Sequence, residues 1–257
     1  MTVQRIAARG AACAAVVVLT VTSGAVARAD DDIESLPAQQ IAERSRDALL
    51  DAESLHLRAE GDLGEGRPPM TIDLTLDRNG NCVGGIDLGD GKGRVEIVKR
   101  GDEVWVKPDA DFWENQVPVG GTTFEAILAG RYMKGEASDS RLRPVVKACD
   151  LDTFRELVTD NAGTTGGTLT RGTPSTVGGT RTIPVTRSGE GDRKDDRLTV
   201  YVATEGKHYP VRITVRSETS DAAVALSRFD TPVPTATPSP QDTVDVNALL
   251  GRTPAPA

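Results

Sequence analysis

Histidine is almost missing from this chain of 257 residues, which has two. That scarcity narrows the chemistry, because histidine is the most frequent general base and a common metal ligand. His56 takes a polar position in an alternating stretch and His208 precedes Tyr209-Pro210 at a turn, so both read as surface residues. No G-x-S-x-G, H-E-x-x-H or phosphate-loop pattern occurs. Asp87-Leu88-Gly89-Asp90-Gly91 has part of a calcium loop but not its remaining ligands or closing glutamate, and a tight hairpin turn explains it better. Gly89, Gly91 and Gly93 do not spell a dinucleotide fingerprint, which needs a helix next. No catalytic residue, metal site or cofactor is therefore expected. Aromatic residues are also few, at 4%, while the hydrophobic share of 38% is ample for a core. Basic residues are outnumbered, 30 against 38 acidic, which disfavours nucleic acid as a partner. No apolar run reaches the roughly 20 residues of a membrane-spanning helix.

The longest apolar run, Ala11 to Val21, follows Arg5 and Arg9 and precedes Ala27-Arg28-Ala29. This is the pattern of an export signal over residues 1–29, with the mature chain starting at Asp30, or at Arg28 if cleavage follows Ala27. Removing it takes three of the 30 basic residues and none of the acidic ones, which moves the net charge from −8 to −11. Cys13 leaves with the signal, so the mature chain keeps two cysteines, Cys82 and Cys149. Export places them in an oxidising compartment, where two cysteines allow one disulfide. Two buried free thiols are the alternative.

Along the mature chain, helical spacing of Ile41, Ala42, Ser45, Ala48, Leu49 and Ala52 predicts a helix from Pro37 to Asp51. The period then changes to two. Strands are expected over Leu55 to Glu60, Met70 to Asp77, Cys82 to Leu88, Arg94 to Lys99 and Glu103 to Lys107, with Asn79-Gly80 and Gly101-Asp102 as hairpin turns. Thr122 to Leu128, Leu142 to Cys149 and Leu151 to Val158 read as helices. Strands resume at Thr168 to Arg171, Thr180 to Arg187, Leu198 to Val202, Val211 to Arg216 and Ala222 to Phe229. The loop around Asp192, Arg193 and Lys194 is solvated, with mixed charge. The fold class is α+β: a curved antiparallel sheet of about eleven strands, a half-barrel covered by helices. The domain runs over residues 30–230, and a Pro-rich tail, extended or mobile, over 231–257. Within the tail Val244, Val246, Leu249 and Leu250 are able to dock back on the domain.

One face of that sheet collects an aliphatic surplus, from which Ile72, Leu74, Ile97, Val104, Val106, Leu198, Val200 and Ile213 are the candidate ligand-binding residues. Two outcomes are open: a solid core, or a sheet whose helices do not fill it and leave an apolar cavity.

The order of elements resembles the LolA-like fold, in particular the LppX/LprG-type lipoproteins of actinobacteria. The resemblance lies in the N-terminal helix, the meander with Gly101-Asp102-Glu103-Val104-Trp105-Val106-Lys107, and Phe112-Trp113. It continues through the helical middle, Val177-Gly178-Gly179, and the strands Leu198-Thr199-Val200-Tyr201-Val202 and Tyr209-Pro210-Val211-Arg212-Ile213. It implies a half-barrel closed by helices, with a hydrophobic cavity that carries acyl chains of lipids or lipoproteins; the lack of a catalytic constellation points to a binder that is not an enzyme. One departure stands out: no cysteine ends the signal, since Thr22-Ser23-Gly24 is followed by Ala25. A secreted or cell-envelope protein without a lipid anchor is expected. Its partner would be an acyl lipid or other hydrophobic small molecule. An envelope protein bound by a regulatory module on the same fold is the alternative.

Overall fold

Strict alternation of apolar and polar residues leaves one dry and one wet face per strand, and the strands pair so that the dry faces meet. The computed structural model describes residues 32–62, 69–163, 167–191, 195–218 and 220–245. The expected signal over 1–29 with Cys13 and both cleavage points, the new terminus at Asp30, Asp192 to Lys194, and Val246, Leu249 and Leu250 lie outside those residues.

Helix α1 (Ala38–Asp51) comes first, then five strands in a meander: β1 (Ser54–Gly61), β2 (Met70–Asp77), β3 (Cys82–Asp87), β4 (Arg94–Arg100) and β5 (Glu103–Pro108). Two short helices, α2 (Ala110–Gln116) and α3 (Gly121–Leu128), lead to β6 (Tyr132–Glu136). Helices α4 (Arg143–Ala148) and α5 (Leu151–Gly163) precede β7 (Leu169–Arg171), β8 (Ser175–Val177), β9 (Thr180–Ser188), β10 (Arg197–Ala203), β11 (Pro210–Arg216) and β12 (Asp221–Ser227). A last strand, β13 (Thr243–Asp245), comes from the Pro-rich segment.

All thirteen strands of the described residues belong to one curved, unclosed sheet, in the order β13-β6-β5-β4-β3-β2-β1-β12-β11-β10-β9-β7, with β8 also on β9. Every pairing is antiparallel except β13 on β6. The register puts the dry residues in continuous rows. Val200 faces Ile213, Ile213 faces Val224, Val224 faces Ala59, and Ala59 faces Ile72. A second row runs Leu57, Leu74, Gly84, Ile97, Val106. The opposite face carries paired charges. His56 Nε2 is 2.9 Å from the Asp73 carboxylate, and Arg58 donates to the same carboxylate at 3.0 Å.

Helix α1 buries Ile41, Ser45, Ala48 and Leu49 on the sheet side. It ends without a glycine cap, and its last carbonyls are taken by two arginines instead. Arg78 donates to Leu50 and Ala52, and Arg155, on α5, donates to Leu49 at 3.1 Å and to Ala52. The Arg155 side chain is 5% exposed and also pairs with Asp152 at 2.7 Å. Arg155→Leu would take the charged donor from two carbonyls that each keep one other donor, and is expected to cost about 2 kcal/mol. A urea titration reads this as a lowered midpoint at unchanged slope; an unchanged midpoint contradicts the capping role.

Between sheet and helices lies one core cluster that includes Leu49, Leu74, Leu76, Ile97, Val104, Leu151 and Ile213. Cys82 on β3 and Cys149 at the α4–α5 junction form the expected disulfide through its centre, with both residues fully buried. The turns beneath this region are tied together by Lys99, whose ammonium donates to the Gly80 carbonyl at 2.7 Å and the Gly101 carbonyl at 2.8 Å.

The chain leaves β12 at Asp230, whose carboxylate accepts from the Glu53 N–H at 2.8 Å, Lys207 at 2.7 Å and the Tyr209 hydroxyl at 2.7 Å. These donors, Lys207 first, hold its pKa down at about 2. The Pro-rich segment then runs extended, buries Val233, receives hydrogen bonds from Arg100 at Pro234 and Ala236, and reaches β13, where Val244 lies beside Met133.

Candidate functional site

Two hollows open on the apolar face of the sheet, one on each side of the solid centre. The larger, of about 580 Å³, lies between β4, β5 and β6 on one wall and α2, α3 and the start of α4 on the other. Its position depends on how closely α2 and α3 approach the sheet edge. Asp109 caps α2 by accepting the Phe112 N–H at 2.9 Å, and its other oxygen accepts the Arg94 N–H at 3.0 Å, which pins the helix start to β4. A Cβ on Gly93 would lie 2.1 Å from the Phe112 nitrogen, and one on Gly121 would lie 2.0 Å from the Trp113 carbonyl oxygen. Only glycine permits either approach.

Those approaches aim aromatic side chains into the hollow. The Trp113 and Phe124 rings stack at 5.9 Å between centroids, and Phe112 meets Trp113 edge-on at 5.6 Å. Val95, Val106, Pro108 and Met133 form the sheet wall, and Leu128, Leu142, Pro144 and Val145 complete the lining. Among the described residues its only ionic side chains are Asp139 and Arg141, which pair with each other. The Arg141 guanidinium and backbone N–H hold the Asp139 carboxyl down at about 2. The size falls within the range of small-molecule sites, roughly 300–1,000 Å³. Phe124 spans the boundary between lining and surface: it is 43% exposed, and beside it on the α2–α3 segment Ile127 is 44% and Val119 88% exposed.

The smaller hollow, of about 60 Å³, lies between α1, α5 and strands β9 to β11, with Leu49, Val185, Leu198 and Val200 among its walls.

The candidate residues distribute as follows. All eight join the same core cluster. Val106 lines the larger hollow and Leu198 and Val200 the smaller, whereas Ile72, Leu74, Ile97, Val104 and Ile213 line neither. In the centre, Leu49, Leu151, Phe154 and the disulfide fill the space over the sheet. Sequence reading missed Phe112, Trp113, Phe124, Leu128 and Met133 as lining residues. The available signal was the cluster of aromatic and aliphatic residues between Phe112 and Leu128, in a chain with few aromatics elsewhere.

No protein-family model and no curated protein matches the chain. Among solved structures it is similar to LprF from Mycobacterium bovis, with a TM-score of 0.52 at 15% identity over 79% of this chain and 97% of that one. The chain has the LolA-like fold. Also similar are the lipoprotein LppX of Mycobacterium tuberculosis, with a TM-score of 0.46 at 17% identity over 77% of this chain and 98% of that one. A LolA superfamily protein of Nitrosomonas europaea has a TM-score of 0.28 at 10% identity, over 78% of this chain and 96% of that one. Within the LolA-like fold of this chain, no helix of the described residues is long and apolar enough to cross a membrane.

Proposed function

We propose that this chain binds an acyl lipid or another hydrophobic small molecule outside the cytoplasm, without catalysing a reaction. The observation that carries the reading is the larger hollow: about 580 Å³, walled by aliphatic and aromatic side chains, with its single charged pair internally neutralised. Burial of apolar surface there is worth about 25 cal/mol per Å², and no hydrogen-bonding partner is demanded of the ligand. The LolA-like fold supports the same reading. The export pattern over residues 1–29 supports a secreted or envelope-associated protein. Residues 30–230 then form the binding domain, and the tail from 231 braces its edge.

A second reading has an observation of its own. Val119, Phe124 and Ile127 expose apolar surface on the α2–α3 segment, and such surface also suits an envelope protein partner. Native mass spectrometry of the exported chain after mild purification separates the two. The proposal expects a co-purified hydrophobic ligand that is released on denaturation. A chain at its bare mass that also takes up no added lipid overturns it in favour of the interaction module.

A further inference from the structure

The smaller hollow differs from the larger in one respect: among the described residues, its lining has polar groups without an acid to answer them. Ser45, on α1, is 3% exposed and lines this hollow, and among the described residues its Oγ has no hydrogen-bond partner. A hydroxyl buried there takes its partner from whatever enters the hollow. Arg187 lines the same space from β9, where the register sets it opposite Leu198. It projects to the apolar face, among aliphatic neighbours, and burial pushes its guanidinium pKa down. Arg46, at the next position of α1, is the other ionic group of the lining, half exposed and 3.7 Å from Asp47. Among the described residues, no aspartate or glutamate lines the hollow. The remaining walls are aliphatic, Leu169, Val185, Leu198 and Val200 among them.

A half-buried cation and a buried hydroxyl set in an aliphatic wall suit a ligand that is anionic at one end and apolar at the other. We propose that this second hollow binds the carboxylate end of a short aliphatic acid, with Arg187 and Ser45 as its polar partners and Leu198 and Val200 against its chain. The guanidinium donates to the carboxylate as a charge-assisted pair, the stronger class of hydrogen bond. The Ser45 hydroxyl supplies a second donor and so gains the partner it lacks. The volume of about 60 Å³ has room for several waters, each needing roughly 10–15 Å³, which suits a headgroup and its first methylenes. The site is separate from the larger hollow. The inference extends the reading of the chain as a binder of apolar ligands without depending on which molecule fills that hollow.

Calorimetric titration of the full exported chain with octanoate, 1-octanol and acetate tests it. Octanol keeps the chain and loses the charge; acetate keeps the charge and loses the chain. Octanoate is expected to bind at least tenfold more tightly than octanol, and acetate not measurably. Ser45→Ala and Arg187→Gln should each weaken octanoate about tenfold and leave octanol unchanged. Equal affinity for octanoate and octanol, acetate binding as well as octanoate, no octanoate binding, or octanoate binding indifferent to both substitutions overturns the proposal. If Arg187→Gln does not fold, Arg187→Lys decides with Ser45→Ala: the lysine variant should keep the preference for octanoate, and its loss of that preference together with an inert Ser45→Ala counts against the site. A neutral fluorescent probe, N-phenyl-1-naphthylamine, reports the larger hollow in parallel. Probe binding without octanoate selectivity sinks this inference alone, and octanoate selectivity without probe binding sinks the function proposed for the larger hollow alone.

Discussion

Replacing Cys82 and Cys149 together by alanine is expected to lower the stability of the chain by about 4 kcal/mol in the loop-entropy account. The two residues are 67 positions apart, so the bond removes a large share of the freedom of the unfolded chain. Both sulfurs are also fully buried at the centre of the core cluster, so the change leaves a small void besides. For a chain of this size each kcal/mol moves the thermal midpoint by about 2–4 °C, giving a drop on the order of 10 °C. Scanning calorimetry with and without reductant, on the unmutated protein and the double variant, checks this. The reductant should act on the first and not on the second. A midpoint indifferent to both treatments, or two thiols titrating at full value in native protein, contradicts the account. The bond joins β3 to the junction from which α4 sends Pro144 and Val145 to the larger hollow. Reduction should therefore also weaken ligand uptake before the chain unfolds.

Some of this architecture is written locally and some is not. Leu55 to Glu60 and Met70 to Asp77 alternate so regularly that β1 and β2 follow from them, and α1 follows from the spacing of Ile41, Ser45, Ala48 and Leu49. Three strands escaped that reading. In β6 a glycine interrupts Tyr132-Met133-Lys134-Gly135-Glu136; β8 and β13 have three residues each and sit among prolines and threonines. They are strands because a neighbour offers an edge, which no local period records. Helix α2 was also missed, its seven residues being too short for a periodic signal. The candidate site shows the same limit. Facing direction was legible, so Val106, Leu198 and Val200 point the right way. Which part of the wall is left uncovered depends on where α2, α3 and α4 settle. That is fixed by close approaches at Gly93 and Gly121 and by the Asp109 cap, contacts between residues remote from the wall they shape.

The second large effect is expected at Met133. It lies on β6, half-buried, between Val106 and Val244, and faces the larger hollow. A carboxylate placed there has room for water, so Met133→Asp should fold. An apolar ligand entering afterwards must strip that water from an unpaired charge, which costs several kcal/mol. Affinity should fall roughly a hundredfold or more, since each tenfold loss is about 1.4 kcal/mol. Val200 is a poorer place to look: it packs on both core clusters and lines only the smaller hollow, so a carboxylate there threatens the fold itself. Thr199 is the matched control. It lies on the outer face of β10, its hydroxyl 2.9 Å from that of Thr186, and Thr199→Asp should leave binding intact. The decisive measurement is a titration of N-phenyl-1-naphthylamine into the unmutated chain, Met133→Asp and Thr199→Asp, each with its thermal midpoint. The account predicts saturable binding by the unmutated chain and by Thr199→Asp, and its loss in a folded Met133→Asp. No probe binding by the unmutated chain, or undiminished binding by a folded Met133→Asp, would contradict it.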